Sequence, residues 1–158
     1  MDKELFIKQV GAMQNALRSF LLALCCGRKA DADDIAQETL IKAYMSMDRY
    51  VDSGRFKSWL FRIAYNTFLN HRAAQRQYAS LDEAVLLTGE ERSDGNFAHQ
   101  QLYLALSILP ARERTAISLF YLCGYSIKEI SKITGCSEAA VKKQLSRGRD
   151  KIKNSLSL

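Results

Sequence analysis

The sequence predicts an all-α protein made of two small helical domains joined by a flexible acidic linker. Apolar residues recur at helical spacing almost throughout, and no segment shows the alternation of apolar and polar residues that is typical of strands. Residues 77–96 interrupt this pattern, with five acidic residues, one arginine and two glycines. We therefore predict domains at residues 1–76 and 97–158, on either side of this linker.

The composition is that of a folded protein, and its positive charge points toward an acidic partner such as nucleic acid without proving one. The 158 residues carry a formal net charge of +6, and 47% of them are hydrophobic. No apolar run approaches the ~18–20 residues that cross a bilayer, and the charged N-terminus is unlike a signal peptide. The four cysteines, Cys25, Cys26, Cys123 and Cys136, lack metal-ligand spacing. We expect no membrane insertion, no metal or cofactor, buried free thiols and a cytoplasmic location.

The first two helices are predicted over residues 2–26 and from Asp31 to Tyr50. The expected inward side of the first consists of Leu5, Val10, Leu17, Leu21 and Leu24. The expected inward side of the second consists of Ile35, Leu40, Ala43, Tyr44 and Met47. Gly27 and two basic residues follow the first helix, where cations suit the negative C-terminal end.

The second helix begins with acidic residues and has no basic residue among them. These acids are Asp31, Asp33, Asp34 and Glu38. Attraction of carboxylates to the positive end of a helix explains the first turn, but explains Gln37 and Glu38, one turn later, less well. An exposed acidic patch on a basic protein indicates a docking surface for a basic partner.

The third helix is predicted from Phe56 to Arg76, after a loop at residues 51–55. Its expected core-facing side is Phe56, Leu60, Ile63, Ala64 and Thr67. A second set, the polar stripe, recurs at helical spacing and consists of Arg55, Trp59, Arg62, Asn66 and Asn70. Cations suit phosphates, amides suit base edges and an indole suits base stacking. The periodicity fits equally a nucleic-acid surface and a core tryptophan beside a solvated basic stripe.

Helical periodicity resumes after the linker. One helix is predicted over residues 97–109, with Leu102, Ala105, Leu106 and Leu109 facing inward. Pro110, which needs no N–H in a first helical turn, begins the next helix. That helix is predicted to reach about Cys123 and to bury Ala116, Leu119, Phe120 and Cys123.

Residues 126–153 are predicted to form a helix-turn-helix. Ser126 and Glu129 fit a capping box, Gly135 suits the positive φ at the end of the first helix, and Ser137 suits the cap of the second. The second helix has a narrow apolar seam of Val141, Leu145, Gly148 and Ile152. Gly148 is expected to loosen this helix by roughly 0.5–1 kcal/mol relative to alanine.

The rest of that helix is basic. Lys142, Ser146 and Arg149 form one stripe, and Lys143 and Arg147 lie beside it. Cations there neutralise phosphates and reach guanine edges in a major groove. A solvated basic helix without a partner is the alternative, but the cap, glycine turn and basic second helix together favour DNA binding.

Two long segments resemble the sigma-70 family, specifically its extracytoplasmic-function group. The more specific is DADDIAQETLIKAYMSMDRY, followed after a short loop by FKSWLFRIAYNTFLNHRAAQR. The C-terminal LPARERTAISLFYLCGYSIKEISKITGCSEAAVKKQLSRGRDKIK is similar to the family's fourth region. The resemblance covers most of the chain and implies a transcription initiation factor that binds core RNA polymerase through its β′ clamp and β subunit. It also implies promoter DNA and an anti-sigma factor as partners, and a linker that threads the RNA exit path.

The resemblance assigns a role to each candidate residue. The residues implied to bind core polymerase are Asp33, Asp34, Gln37 and Glu38. Those implied to recognise and open the −10 promoter element are Asp52, Arg55, Phe56, Lys57, Trp59, Arg62, Asn66 and Asn70, with Arg72 and Arg76 contacting phosphates. Those implied to contact the −35 element are Lys142, Lys143, Ser146, Arg147 and Arg149.

Two other classes of function compete with this assignment. A stand-alone helix-turn-helix regulator would bind duplex DNA specifically without polymerase, and its first domain would need no polar stripe. An enzyme has little support, because His71 and His99 lie far apart and no nucleophile motif or glycine-rich phosphate loop is present. We therefore expect no catalysis by this chain.

Overall fold

The computed structural model describes residues 1–50, 54–81 and 97–156, and the regular elements within these ranges are helical. They are α1 (Lys3–Leu24), α2 (Lys29–Ser46), a 3-10 turn (Met47–Arg49), α3 (Phe56–Leu81), α4 (Phe97–Ser107), α5 (Ala111–Ile117), a π-helical segment (Ser118–Leu122), α6 (Ile127–Thr134) and α7 (Glu138–Ser155). The prediction of an all-α fold is confirmed. The predicted linker lies mainly outside the described residues, and its first five residues belong to α3.

Helices α1–α3 pack pairwise and form the N-terminal unit. The residues buried between them include Leu17, Phe20, Leu21, Ile35, Ala43, Leu60, Phe61 and Ala64. Two residues expected on the inward side lie at its margin instead: Leu5 is 38% exposed and Tyr44 is 46% exposed. Tyr44 makes an edge-on contact with Phe6, with ring centroids 5.8 Å apart.

Helices α4–α7 form the C-terminal unit, and α6 and α7 are the predicted helix-turn-helix. The capping box is present: the Glu129 amide donates to Ser126 Oγ at 3.1 Å, and the Ser126 amide donates to Glu129 Oε1 at 3.0 Å. Gly135 ends α6 with a φ of 76°, and the Ala140 amide donates to Ser137 Oγ at the start of α7. These local predictions are confirmed.

The helix that was predicted to reach Cys123 changes from α-helical to π-helical geometry before it ends. After Ile117 the chain continues as the π-helical segment, and the Cys123 amide donates to the Ser118 carbonyl, five residues back, at 3.2 Å. Such a segment accommodates one extra residue in a helical turn. The sequence predicted a helix that reaches about Cys123, but it did not predict the π-helical segment.

The two units also pack against each other. The ring of Phe61 on α3 lies 5.2 Å from the ring of Tyr125, which precedes α6. Buried side chains from both units form one continuous apolar cluster that includes Leu24, Phe61, Leu106 and Ile130. The sequence predicted two domains on a tether, and the structure shows in addition that they share a core.

Gly148 lies where α7 crosses α5, and the close approach changes what an added methyl group would do. A Cβ at Gly148 would stand 2.8 Å from Cγ1 of Ile117, closer than packed carbon atoms come. The expectation that Gly148 only loosens the helix is therefore incomplete, because glycine is what lets the two helices approach.

We predict that Gly148→Ala lowers the free energy of unfolding. Overpacking costs about 1–3 kcal/mol, which exceeds the ~0.5–1 kcal/mol gained from helix propensity. Urea unfolding followed by circular dichroism measures the change.

Gly11→Ala is the matched control, because Gly11 also lies within a helix but no atom lies within 4 Å of an added Cβ. Gly11→Ala should stabilise the protein by about 0.5–1 kcal/mol. Stabilisation by both substitutions would contradict the proposed clash.

Candidate nucleic-acid interface and docking face

One exposed face of α2 begins acidic and continues apolar. Asp34 and Gln37 are exposed, and Ile41 and Met45 follow on the same side of the helix, 59% and 78% exposed. We call Asp34, Gln37, Ile41 and Met45 the docking face. Large exposed apolar side chains beside charged ones are typical of protein–protein contact surfaces.

The other two acids predicted for docking are engaged within the chain. Asp33 forms an exposed ion pair with Arg18, with a nitrogen–oxygen distance of 3.7 Å. Glu38 accepts from Lys42 at 3.2 Å and lies 2.7 Å from Nε2 of His71 on α3. Lys42 also donates to Thr67 Oγ1 at 3.3 Å, so this polar network ties α2 to α3.

The network acts on the protonation of Glu38. The hydrogen bond with His71, and then that with Lys42, hold the pKa of the Glu38 carboxyl below its usual range. Glu38 is therefore kept anionic beside the docking face. The spacing of Glu38 and Lys42 along one helix is visible in the sequence, but His71 lies 33 positions further on and only the fold brings it close.

The polar stripe on α3 is mostly open to solvent. Arg55, Arg62, Asn66 and Asn70 are exposed, as are Lys57 and Arg76, while Arg72 is half-buried. Arg62 donates from Nη1 to the Lys132 carbonyl at the end of α6, 3.3 Å away. Asp52 lies outside the described residues.

Aromatic side chains support one end of the stripe. Trp59 is half-buried, with its ring centroid 5.0 Å from Tyr50 and 5.5 Å from Phe56. Phe56 is only 3% exposed and also packs edge-on against Phe6. Phe56 therefore supports Trp59 from within the core, and Trp59 packs on that core while part of its side chain stays exposed.

The second helix of the helix-turn-helix presents its predicted basic face to solvent. Lys142, Lys143, Ser146 and Arg147 are exposed in its N-terminal half, and Val141, Leu145 and Gly148 are buried on the opposite side. Arg149 is exposed closer to the apolar seam and donates from Nη1 to the Tyr121 hydroxyl at 3.1 Å.

Arg149 lies at the rim of an apolar groove that the sequence did not reveal. The groove has a cavity volume of about 330 Å³. Its lining is Leu102, Leu106, Ile117, Tyr121, Leu122, Arg149, Ile152, Lys153 and Leu156. Leu102 was expected to face the core, but it is 36% exposed here because it forms one wall of the groove.

Both units match family models of known proteins. Family models described as sigma-70 region 2 and sigma-70 region 4 match residues 10–78 and 99–152. The ECF RNA polymerase sigma factor SigM of Bacillus subtilis is 31% identical over 144 residues, which cover 88% of this chain and 87% of that protein. EcfG of Rhodopseudomonas palustris, also an ECF RNA polymerase sigma factor, is 30% identical over 141 residues, 87% of this chain and 77% of that one.

The chain belongs to the sigma-70 family.

Its relatives place this sigma factor in the extracytoplasmic-function group, so the resemblance drawn from the sequence is confirmed. Among solved structures, the sigma factor RpoE of Bartonella quintana, in complex with the anti-sigma factor NepR, superposes with a TM-score of 0.83 at 26% identity. The match covers 97% of both chains. CnrH, in complex with the cytosolic domain of CnrY, shares the fold with a TM-score of 0.75 at 24% identity, over 99% of this chain and 90% of that one.

The thiols and acids of the sigma factor form no metal site in the described ranges. No group of three or more His, Cys, Asp or Glu side chains there is arranged to hold a metal ion. All four cysteines are free, and burial raises the pKa of the Cys25 and Cys123 thiols to about 12. None of the helices in these same ranges is long and apolar enough to cross a membrane.

We predict that His71→Ala raises the pKa of the Glu38 carboxyl toward its ordinary value, because the hydrogen bond that favours the anion is lost. Since the folded-state pKa is depressed, the stabilisation from this pair is present above the ordinary pKa of a glutamate and is lost as the pH falls. NMR titration of the Glu38 side-chain carbon measures the midpoint.

Arg18→Ala is the control, because it removes a cation from α1 that pairs with Asp33 and not with Glu38. The Glu38 midpoint should stay unchanged in that variant. An unchanged midpoint in His71→Ala would show that the hydrogen bond between Glu38 and His71 does not exist in solution.

Proposed function

We propose that this sigma factor binds core RNA polymerase, directs it to promoters with −10 and −35 elements and assists promoter opening. The observation that carries the proposal is the separation of surfaces: an acidic and apolar face on α2, and exposed cationic faces on α3 and α7. They lie on the segments that match sigma-70 regions 2 and 4. The polymerase supplies catalysis in the cytoplasm, and this chain makes and breaks no covalent bonds.

The docking face is proposed to contact the β′ clamp of the polymerase. Asp34 and Gln37 supply charge and hydrogen bonds, and Ile41 and Met45 supply exposed apolar area that a partner would bury. Asp33 and Glu38 also belong to this surface, and each keeps an intramolecular cation beside it. The addition of Ile41 and Met45 extends the contact beyond the acids that the sequence indicated.

The polar stripe and its neighbours are proposed to contact the −10 element. Arg55, Lys57 and Arg62 are placed for phosphates, and Asn66 and Asn70 for base edges. The partly exposed ring of Trp59 offers a stacking surface, and captured unpaired bases offset the few kcal/mol that unstacking costs. The proposed −10 surface also includes Asp52 and Phe56, and Phe56 acts through its support of Trp59. Arg72 and Arg76 are proposed to contact phosphates.

The exposed half of α7 is proposed to enter the major groove of the −35 element. The second helix of a helix-turn-helix contacts bases through its N-terminal residues, which here are Lys142, Lys143, Ser146 and Arg147. Arg149 is proposed to contact a DNA phosphate. Its hydrogen bond to the Tyr121 hydroxyl would then be replaced by a hydrogen bond to the phosphate. Lys and Arg at such positions commonly contact guanine O6 and N7.

The apolar groove is proposed to receive an amphipathic helix from the β subunit or from an anti-sigma factor. Its walls are apolar and its rim carries Arg149 and Lys153, which suits a helix with an apolar side flanked by acids. An anti-sigma partner is supported by the structural match to RpoE, which is in complex with the anti-sigma factor NepR.

We predict that Asp34→Ala and Met45→Ala each weaken binding to core polymerase by about tenfold, or ~1.4 kcal/mol, as expected for anchor residues of an interface. Fluorescence anisotropy of labelled sigma factor titrated with core enzyme measures the affinity. Asp150→Ala, which removes an exposed acid from α7, should leave it unchanged. Equal losses in Asp34→Ala and Asp150→Ala, with Met45→Ala unchanged, would show that overall charge, and not the docking face, controls binding.

We predict that Lys142→Ala and Arg147→Ala each reduce transcription from a −35-dependent promoter by about 5- to 150-fold, equivalent to ~1–3 kcal/mol per base contact. Core binding should be unchanged. Run-off transcription on templates selected from a randomised promoter library provides the measurement.

Lys3→Ala is the matched control, because it removes an exposed charge far from α7 in the chain. A reduction in core binding by Lys142→Ala or Arg147→Ala would contradict this division of labour. Tight, specific duplex binding by the wild-type chain without polymerase would favour a stand-alone helix-turn-helix regulator.

A further inference from the structure

We propose that Glu113 on α5 and Lys151 on α7 are positioning residues that hold α7 at the angle from which it reads the −35 element. They contact no DNA themselves. They fix the tilt of the helix that carries the base-contacting side chains. The inference deepens the proposed function and rests on it, because it requires that α7 enters a major groove.

The two side chains form an ion pair between α5 and α7. Nζ of Lys151 donates to both carboxylate oxygens of Glu113, at 2.9 and 2.8 Å. The Glu113 side chain is only 7% exposed, whereas that of Lys151 is 46% exposed. The carboxylate is therefore enclosed by the protein, and the lysine reaches it from the solvent side.

The ion pair lies beside the point where α7 crosses α5. A Cβ at Gly148 would stand 2.8 Å from Cγ1 of Ile117 and 3.7 Å from Cβ of Glu113. Gly148 and Lys151 are three positions apart on α7, so they share one side of that helix. Glu113 and Ile117 are four positions apart and share one side of α5. A helix held only at the crossing can swing about it, and a second contact one turn away restrains the swing.

Another polar contact holds α7 from the opposite direction. Arg149 donates from Nη1 to the Tyr121 hydroxyl at 3.1 Å. With 3.6 residues per turn, Arg149 and Lys151 lie on either side of Gly148, so rotation of α7 in either direction stretches one of the two contacts. Arg149 is proposed to exchange Tyr121 for a phosphate on DNA. Of these two contacts, the ion pair is then the one that remains.

A small change in the tilt of α7 is enough to disturb base contacts. Packed helices scatter by ~15–20° about their preferred crossing angles. Side chains extend roughly 5–6 Å from a helix axis, so a tilt of ~15° displaces their ends by about 1.5 Å. Hydrogen bonds tolerate only about 0.5 Å in donor–acceptor distance. Loss of the restraint therefore affects Lys142 and Arg147, although both lie in the other half of α7.

Stability alone does not explain a buried ion pair. Removal of two charges from water offsets most of their attraction, and apolar side chains of similar size often stabilise a fold as well or better. The ion pair supplies direction instead. A cation that bonds both oxygens of a fixed carboxylate permits fewer orientations of the helix than apolar contact does. This favours positioning over stabilisation as the function of the pair.

Replacement of the whole pair tests the proposal. Glu113→Met/Lys151→Met should remain stable, because apolar side chains replace the two charges, and its net charge is unchanged. Transcription is measured on two templates that share a −10 element and carry either a selected or a scrambled −35 element. The ratio of the two rates, the −35 discrimination, should fall about fivefold or more, as expected for loss of one base contact. Core binding should be unchanged.

Two control variants accompany this test. Lys151→Arg should retain the −35 discrimination, because a guanidinium also donates to both oxygens of a carboxylate. Glu4→Met/Lys8→Met is the matched control, since it removes one charge of each sign from exposed positions on α1. It should leave the discrimination unchanged. Circular dichroism and urea unfolding establish that each variant is folded.

The single variants separate positioning from direct contact with DNA. Glu113→Met and Lys151→Met should both lower the −35 discrimination. Loss in Lys151→Met alone, with a salt slope of DNA binding reduced by about 1, would show that Lys151 contacts a phosphate and would overturn the positioning role. Wild-type discrimination in the folded double variant would also overturn it.

Residual dipolar couplings distinguish failure of this inference from failure of the proposed function. Couplings of the backbone amides measure the angle between α5 and α7 in the free chain, without polymerase. The double variant should show a changed angle, and wild-type couplings would overturn the positioning role. Failure of the wild-type chain to start transcription at any −35-dependent promoter would count against the proposed function, and the couplings would still test the ion pair.

Discussion

The buried ring of Phe61 packs between the N-terminal and C-terminal units. Its burial determines which sides of the helices around it remain exposed. The ring packs against Phe20 on one side and Tyr125 on the other, with centroid separations of 5.2 Å in both cases. Because α3 carries this residue, the helix has apolar contacts toward both units, and Arg62, Asn66 and Asn70 lie on the side that stays exposed. The packing of Phe61 therefore fixes which side of α3, together with the polar stripe, stays open to solvent.

The burial of one side of each helix also determines where charged side chains lie on the surface. Each surface helix buries one side and exposes the other. The exposed side carries acids and apolar groups on α2, cations and amides on α3, and cations on α7. Glu38 lies near a packing boundary, and Lys42 of its own helix and His71 of the neighbouring helix hold it in place. The opposite signs of these surfaces would keep the proposed polymerase and DNA contacts apart on a small chain.

Much of this could be predicted from the sequence, because helical periodicity and caps are local. The capping box at Ser126, the glycine turn and the buried seam of α7 follow from residues within a few positions of each other. The contact between Glu38 and His71 and the crossing of α7 over Ile117 at Gly148 could not, since they depend on how distant helices meet. For the same reason the side of α3 that carries Phe61 and Tyr65 gave no sign that it faces the C-terminal unit.

The π-helical segment has a consequence for the apolar groove. Its wider turn carries one residue more than an α-helical turn, so the neighbouring side chains of Tyr121 and Leu122 both reach the groove wall. Deletion of a single residue there would restore regular winding and rotate one of these side chains away by about 100°. A one-residue change in chain length would thus remodel the apolar groove of this sigma factor.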